Sequence, residues 1–334
     1  MQQAPIGIVV NPSSGKDVRR LVARASVFDN REKGAIVRRA LVGALNGGAN
    51  SFAYMDDSHN IASSALEELQ GKFDSQRIPC PRTATALDTE YAAKELKQAG
   101  CIATMILGGD GTNRVFVKGW RDAVLLPLST GTNNVFPGFA EATVAGAALG
   151  LIASGQVSLD KVTEQVKIID INIEGESPDI ALIDAVVSDE QFVGARAILE
   201  AESLQVVLLT RAVPAAVGMT ALGGLLSPLA EQDRGGLLLK LGEGKRTVNT
   251  PIAPGLYQRI NVAAVDPIDF DEIVEFEGPC VIALDGERER VIRKGQKFSM
   301  KVSRTGPSVI NIDKSMKLAA SCGAFVDQAF VDQR

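Results

Sequence analysis

Short apolar runs alternate with segments of helical periodicity through the first third of the chain. Residues 6–10 and 51–55 read as strands, and 101–107 carry a continuous apolar run, the pattern of a strand covered on both faces. Between and beside them, residues 35–42, 61–69 and 88–99 set their apolar positions along one helical face, and the last of these ends at Gly100 as a helix C-terminus does. Strands alternating with helices predict a parallel sheet with helices on both faces. After about residue 160 the texture changes to repeated short β-like runs at 166–173, 180–187, 204–210, 237–241, 257–265 and 281–284, so a mostly β second domain is expected. A small-residue helix at 143–153 and a turn at Gly155 place the boundary, giving an α/β domain over 1–155 and a β-rich domain over 156–306. No Gly/Ser or Pro tract separates the halves, so they should pack closely.

Charge and rare residues then narrow the chemistry. Lys plus Arg number 35 against 40 Asp plus Glu, a net charge of −5. That is the wrong sign for a counterion-releasing grip on nucleic acid, which is excluded as a partner. The four cysteines show no Cys-x-x-Cys spacing, and His59 is the only histidine in the sequence. A structural zinc site and a Ser-His-Asp or Cys-His nucleophile both lose their ligands or base. His59 itself lies in the polar stretch 56–60 and reads as a solvated loop residue. Residues 212–230 carry no charge, but Pro214, Pro228, Gly218, Gly223 and Gly224 break a lone lipid-exposed helix. That stretch reads as buried backbone, with no stable membrane insertion. The N-terminus shows no basic and long apolar leader, so a soluble, cytoplasmic protein with reduced thiols is expected.

Chemistry concentrates where polar, glycine-bearing turns end strands. Gly108-Gly109-Asp110-Gly111-Thr112 follows the buried run 101–107. Paired glycines there let backbone N–H groups approach phosphate oxygens, and the carboxyl end of a strand in an open α/β sheet is where ligands bind. The same turn also reads as an ordinary bend with Asp110 capping a helix. Thr130-Gly131-Thr132-Asn133-Asn134 is a second such turn after an apolar stretch, and Asn11-Pro12-Ser13-Ser14-Gly15 a third after the first strand. The third is not a Walker A loop, because Val10 and Asp17 occupy places that motif reserves for Gly and for Ser or Thr. In the β-rich half, Asp285-Gly286-Glu287 reads most simply as a hairpin turn with solvated charges.

Taken in order, these pieces resemble the NAD kinase and diacylglycerol kinase superfamily of ATP-dependent phosphotransferases. The 11–15 segment resembles the first phosphate loop of the lipid kinases, and Gly108–Thr112 is similar to the hallmark of the whole superfamily. Gly131-Thr132-Asn133-Asn134 resembles the lipid-kinase Gly-Thr-x-Asn-Asp turn, and residues 181–187 the NAD kinase segment Ala-Leu-Asn-Glu-x-Val. Residues 213–221 with Gly223-Gly224 are similar to the NAD kinase Thr-Pro-x-Gly-Ser-Thr-Ala-Tyr region, and Asp285-Gly286-Glu287 matches the lipid-kinase Asp-Gly-Glu. The hybrid pattern and the length resemble most the acetoin-catabolism protein X group.

The resemblance implies an α/β nucleotide-binding domain completed by residues 307–334, a β-sandwich acceptor-binding domain, and a nucleotide between them. It implies ATP and Mg²⁺ as cofactors, phosphorylation of a hydroxyl on NAD or a related small molecule, a link to acetoin catabolism, and a homo-oligomer with residues 218–229 as one candidate contact surface. By likeness, Asp110, Asp285 and Glu287 are catalytic, with Asp110 and Asp285 also metal ligands. Asn11, Gly15, Gly108, Gly109, Gly111, Thr112, Thr130, Gly131, Thr132, Asn133 and Asn134 would hold the cofactor, and Asp184, Gly218 and Thr220 the acceptor. Ile183 stands where NAD kinases place an Asn, and Asn134 where lipid kinases place an Asp. A lipid kinase and a non-catalytic nucleotide-binding regulator are the alternatives, although no polybasic run offers a bilayer contact.

Overall fold

A computed structural model of the chain describes residues 3–15, 29–69, 71, 73–131, 133–189 and 203–326. The N-terminal sheet contains β1 (Ile6–Val10), β2 (Ser51–Met55), β3 (Asp74–Ile78), β4 (Ala103–Gly108) and β5 (Val124–Ser129). Two short strands complete it, β6 (Thr163–Gln165) and β17 (Ser308–Ile310), and the order across the sheet is β3-β2-β1-β4-β5-β17-β6. All neighbours are parallel except β6, which runs antiparallel to β17. Alternate residues of β1 and β4 face opposite sides. Ile6, Ile8, Val10, Met105 and Leu107 pack with α1 (Asn30–Asn46), α2 (Ile61–Glu67), α5 (Ala142–Ala153) and α7 (Ile312–Ser321). Val9 and Ile106 pack with α3 (Ala86–Gln98) and α4 (Asp110–Gly119). Helix starts are chemically marked: Asp29 accepts from the Glu32 N–H, and Thr85 from the Leu87 N–H.

From β1 the chain proceeds outward to β2 and β3, and from β4 the other way to β5. The sheet therefore has its switch point between β1 and β4, which pair along Val10 and Leu107. The crevice outside the carboxyl ends of those two strands is where a doubly wound sheet accepts ligands. The loops that leave there are 11–15 and 108–112.

Beyond β6 the chain builds two antiparallel sheets. One has six strands in the order β12-β11-β10-β9-β14-β15, from β9 (Asp184–Ser188), β10 (Leu204–Leu209), β11 (Gly236–Ala253), β12 (Leu256–Ile268), β14 (Cys280–Leu284) and β15 (Glu287–Ile292). The other has the order β13-β16-β7-β8, from β7 (Ile168–Ile173), β8 (Asp179–Ala181), β13 (Val274–Glu277) and β16 (Lys297–Ser303). Ala185, Val187, Leu208, Ile282 and Leu284 from the first meet Ile169, Ile171, Met300 and Val302 from the second, forming the sandwich core. A mostly β half behind an α/β layer is the architecture the apolar pattern predicts, and its sandwich form is what the resemblance implies.

The halves share a core. Ile168, Ile180, Leu182 and Ile183 pack with Val9, Ile106, Phe116 and Val117 of the first layer. A buried ionic joint adds to this contact: Asp179, itself enclosed, accepts from Arg114 (3.2 Å), Lys118 (3.1 Å) and Arg290 Nε (3.0 Å). Burial pushes the Asp179 carboxyl up, but the Ile180 amide and these three cations outweigh it and hold the group below its usual value. The run expected at 180–187 is broken into β8 and β9 by a bend at 182–183.

Within 212–230, Met219–Leu226 forms α6, whose residues 219–224 are buried. Of the candidate contact surface at 218–229, residues 219–224 lie in the protein's own core, while Leu225 is 48% exposed. His59 is an exposed loop residue, as expected. Among the described residues no helix is long and apolar enough to cross a membrane.

Candidate functional site

The polar turns meet at the switch point. Asn11 donates from Nδ2 to Thr112 Oγ1 (2.9 Å), and its backbone N–H reaches Leu107 O (3.1 Å), tying the first loop to the second. Thr130 Oγ1 lies 3.1 Å from Ser14 Oγ, tying the first loop to the third. Glycines stand where these turns touch. A Cβ on Gly109 would sit 2.8 Å from Asn134 Oδ1, and one on Gly111 2.8 Å from Glu287 Oε1. The three loops and the β14–β15 turn thus close on one another. The 11–15 and 108–112 loops and the β14–β15 turn border a cleft of about 180 Å³ lined by Asn11, Ser13, Gly111, Thr112 and Glu287 together with Ser58, Thr85, Asp88 and Thr89; Asp110, Asp285 and the described residues of the 130–134 turn are not among its lining.

Asp110 is the first residue of α4 but does not cap it; the cap is Gly109, which offers no side-chain bond. The first N–H groups of that helix thus have no side-chain cap, a local anion preference. The carboxylate of Asp110 instead accepts from Val135 N (3.0 Å) and Phe136 N (2.8 Å), pinning the far end of the third turn. Burial, reinforced by the nearby Asp285 charge, pushes its carboxyl up to about 7 against the pull of those amides and of Arg211. A carboxyl poised there is suited to proton transfer near neutral pH.

Asp285 and Gly286 form a two-residue turn between β14 and β15, with φ of 49° and 81°. The hairpin expected from Asp-Gly is present, but the aspartate is not solvated. It is 6% exposed. Its oxygens accept from Leu182 N (2.8 Å), Ile183 N (2.8 Å) and Asp184 N (3.1 Å), and its own N–H donates to Asp184 O (3.0 Å). Burial pushes this carboxyl up as well, opposed by Arg114 and the three amides. Asp184 is thereby held beside Asp285 through the backbone. Glu287, at the start of β15, is exposed against Gly111.

Of the remaining expected residues, Thr112, Thr130 and Gly131 are buried in the turns, and Asn133, Asn134 and Gly15 are half-buried there. Gly108 ends β4 directly below. Thr132 lies outside the described residues. Gly218 and Thr220 sit elsewhere, at the cap and in the first turn of α6, which packs against β10 and β11; Gly218 N donates to Pro251 O (2.8 Å), and Thr220 is 1% exposed. Neither lines the cleft.

Sequence reasoning passed over two features. Lys33 is fully buried, and its ammonium donates to the carbonyls of Asn11 (2.9 Å), Pro12 (3.0 Å) and Ser14 (2.7 Å), holding the first loop from beneath. Asp88 accepts from Thr83 N (2.9 Å) and Ala84 N (2.8 Å), shaping the opposite wall through two residues at positive φ, Arg82 and Ala84 (both 57°). The helix-start signal of Thr85 with Asp88 three residues on was readable; its position over the cleft was not.

Known proteins resemble this chain along most of its length. The acetoin catabolism protein X C-terminal domain family matches residues 167–305. The acetoin catabolism protein X of Cupriavidus necator is 36% identical over 306 residues, covering 86% of this chain and 85% of that protein. Among solved structures, yeast NADH kinase in complex with NADH superposes with a TM-score of 0.51 at 11% identity, covering 97% of this chain and 89% of its own. An NAD kinase from Archaeoglobus fulgidus, in complex with ATP, covers 82% and 98% at 14% identity with a TM-score of 0.38. The fold is that of the NAD kinases, and at this level of shared sequence along most of its length the chain belongs to the acetoin catabolism protein X family.

Proposed function

We propose that the protein transfers the terminal phosphoryl group of ATP to a hydroxyl of a small molecule, with NAD as the first acceptor to test and acetoin catabolism as its setting. One observation supports this reading: three glycine-bearing turns and the Asp285–Glu287 turn touch one another at the switch point of the sheet. Phosphoryl transfer asks for positioning and charge neutralisation more than covalent chemistry, which backbone donors and carboxylates supply without histidine or cysteine.

Asp110 is assigned as the base that takes the acceptor's hydroxyl proton. The first turns of α4 and of the 11–15 and 130–134 loops receive the phosphates, and Glu287 borders them. Among the described residues no cluster of three or more Asp, Glu, His or Cys stands ready as a metal cage. Mg²⁺ held by one or two carboxylates plus substrate phosphates needs none. Asp110 and Asp285 each have both oxygens engaged by amides, and Glu287, which lines the cleft, is the better placed to meet an ion that enters on the nucleotide and neutralises phosphate charge. Purified protein should form phosphorylated NAD from ATP and NAD, and Asp110→Asn should abolish it; full turnover by that variant would remove Asp110 from the reaction.

Ile183 favours a second reading. It is 1% exposed, its side chain packed in the core shared by the two halves, so it offers the acceptor no amide where NAD kinases carry Asn. A nucleotide-binding regulator would then be stabilised by ATP or NAD in thermal unfolding with no product formed.

A further inference from the structure

We propose that the cleft between the first loop and the start of α3 is a subsite for a neutral vicinal diol, the ribose of a nucleotide, with Thr89 and Asp88 reading its hydroxyls. The diol chemistry stands on the cleft alone; that a nucleotide carries the diol rests on the phosphoryl transfer proposed for the protein. Thr89 is 5% exposed and lines the cleft, and its hydroxyl has no hydrogen-bond partner among the described residues. Buried polar groups are normally paired, so an unpaired hydroxyl that opens into a cleft marks a place where a ligand supplies the partner.

Asp88 stands next to it. Its Oδ1 is filled by the N–H (2.9 Å) and the hydroxyl (2.8 Å) of Thr83, whereas among the described residues Oδ2 accepts only the Ala84 N–H (2.8 Å). A carboxylate oxygen takes two donors, so Oδ2 keeps one place. The two are consecutive residues of α3 and line the same cleft, so adjacent hydroxyls of one ligand can engage both. Thr112 adds a third group: its Oγ1 accepts from Asn11 (2.9 Å), and its proton goes to no described residue.

Met55 and Val115 add carbon surface to the lining, against which the C–H face of a sugar ring can lie. The cleft's volume of about 180 Å³ is below the roughly 300–1,000 Å³ that holds a drug-sized ligand. One ring fits; a dinucleotide does not. A phosphate is the wrong occupant beside Asp88, since it brings acceptors to an acceptor. Gly111 and Thr112 line the same cleft, so phosphates attached to the sugar run onto the uncapped start of α4.

Binding alone decides it, read by NMR from the amide signals of Thr89 and Thr112 in the isotope-labelled full chain. ADP, NAD and D-ribose are titrated separately, and ADP is set beside dideoxy-ADP, which lacks the sugar's diol. D-ribose should shift both signals, and shifts by ADP or by NAD show which of the two carries the diol. ADP should bind about tenfold or more tighter than dideoxy-ADP, the loss of a hydrogen bond to a charged group. That comparison is made on the parent chain and needs no variant. Thr89→Val keeps the shape without the hydroxyl; it should weaken ADP about fivefold and leave dideoxy-ADP unchanged, and Thr89→Ser should restore ADP. If D-ribose shifts the two signals and neither ADP nor NAD binds, the diol site stands and phosphoryl transfer from nucleotides falls. Binding of ADP and dideoxy-ADP with equal affinity, or signals unmoved by ADP, NAD and D-ribose alike, overturns the inference.

Discussion

Replacing Asp285 by Asn changes one oxygen to an NH₂ and should destabilise the protein out of proportion to that change. The carboxylate receives three backbone N–H groups at 2.8, 2.8 and 3.1 Å from a position only 6% exposed. An asparagine can turn its single oxygen towards Ile183 and Asp184, but its NH₂ then faces the Leu182 N–H. A buried donor left without a partner costs about 1–3 kcal/mol. The two surviving bonds also lose the strength of a charged acceptor, roughly half of each. The sum is about 3 kcal/mol, and at roughly 2–4 °C per kcal/mol the melting temperature should fall by about 6–12 °C. Asp285→Ala, which satisfies none of the three, should fall further. Thermal unfolding by circular dichroism reads the shift, and hydrogen exchange at Leu182, Ile183 and Asp184 locates it. A melting temperature within about 1 °C of the parent, with those three amides still protected, would refute the clamp.

Three other outcomes follow from the same geometry. Asp110 has a folded value of about 7 against 3.8 unperturbed, so the native state holds its proton longer than the unfolded chain. Its contribution to stability is present below about pH 4 and lost as pH rises through about 7; Asp110→Asn should flatten the melting-temperature profile across that window, while any phosphoryl transfer by the parent should rise through it. Lys33→Met leaves three loop carbonyls without their buried donor, and denaturant unfolding should show a loss of about 3 kcal/mol or more at about 1 kcal/mol or more per group, with faster exchange of the 11–14 amides. Asp179→Asn strips charge from a joint where Arg114 is 1% exposed, and urea unfolding should record a loss of about 3–5 kcal/mol, the range for breaking a buried ion pair.

Much of the fold was readable because burial on both faces leaves a strand no polar position. β1 and β4 stand out as unbroken apolar runs for that reason. β11 was seen only as its first few residues, since its outer part carries Gly242, Gly244, Arg246 and Asn249, which read as loop; pairing along β12 supplies order that local propensity does not. Turn glycines at 108–111 were legible as a place for close approach, whereas what approaches them, Asn134 and Glu287, depends on packing of elements far apart in sequence. Lys33 looks like any lysine on an exposed helical face. Its burial follows from the closure of the first loop over α1, which no window of sequence contains. Asp285 was legible as a hairpin residue and as a superfamily position, but not as the clamp on a bend a hundred residues earlier.

The convergence of the turns on one polyphosphate is tested most directly by titrating ATP carrying paramagnetic Mn²⁺ into isotope-labelled protein and following amide broadening. The geometry predicts that Gly109, Gly111, Gly131 and Gly286 broaden together at the same ligand ratio, because a single bound nucleotide reaches all of them. Broadening confined to one of these turns, or absent from all four, would contradict it.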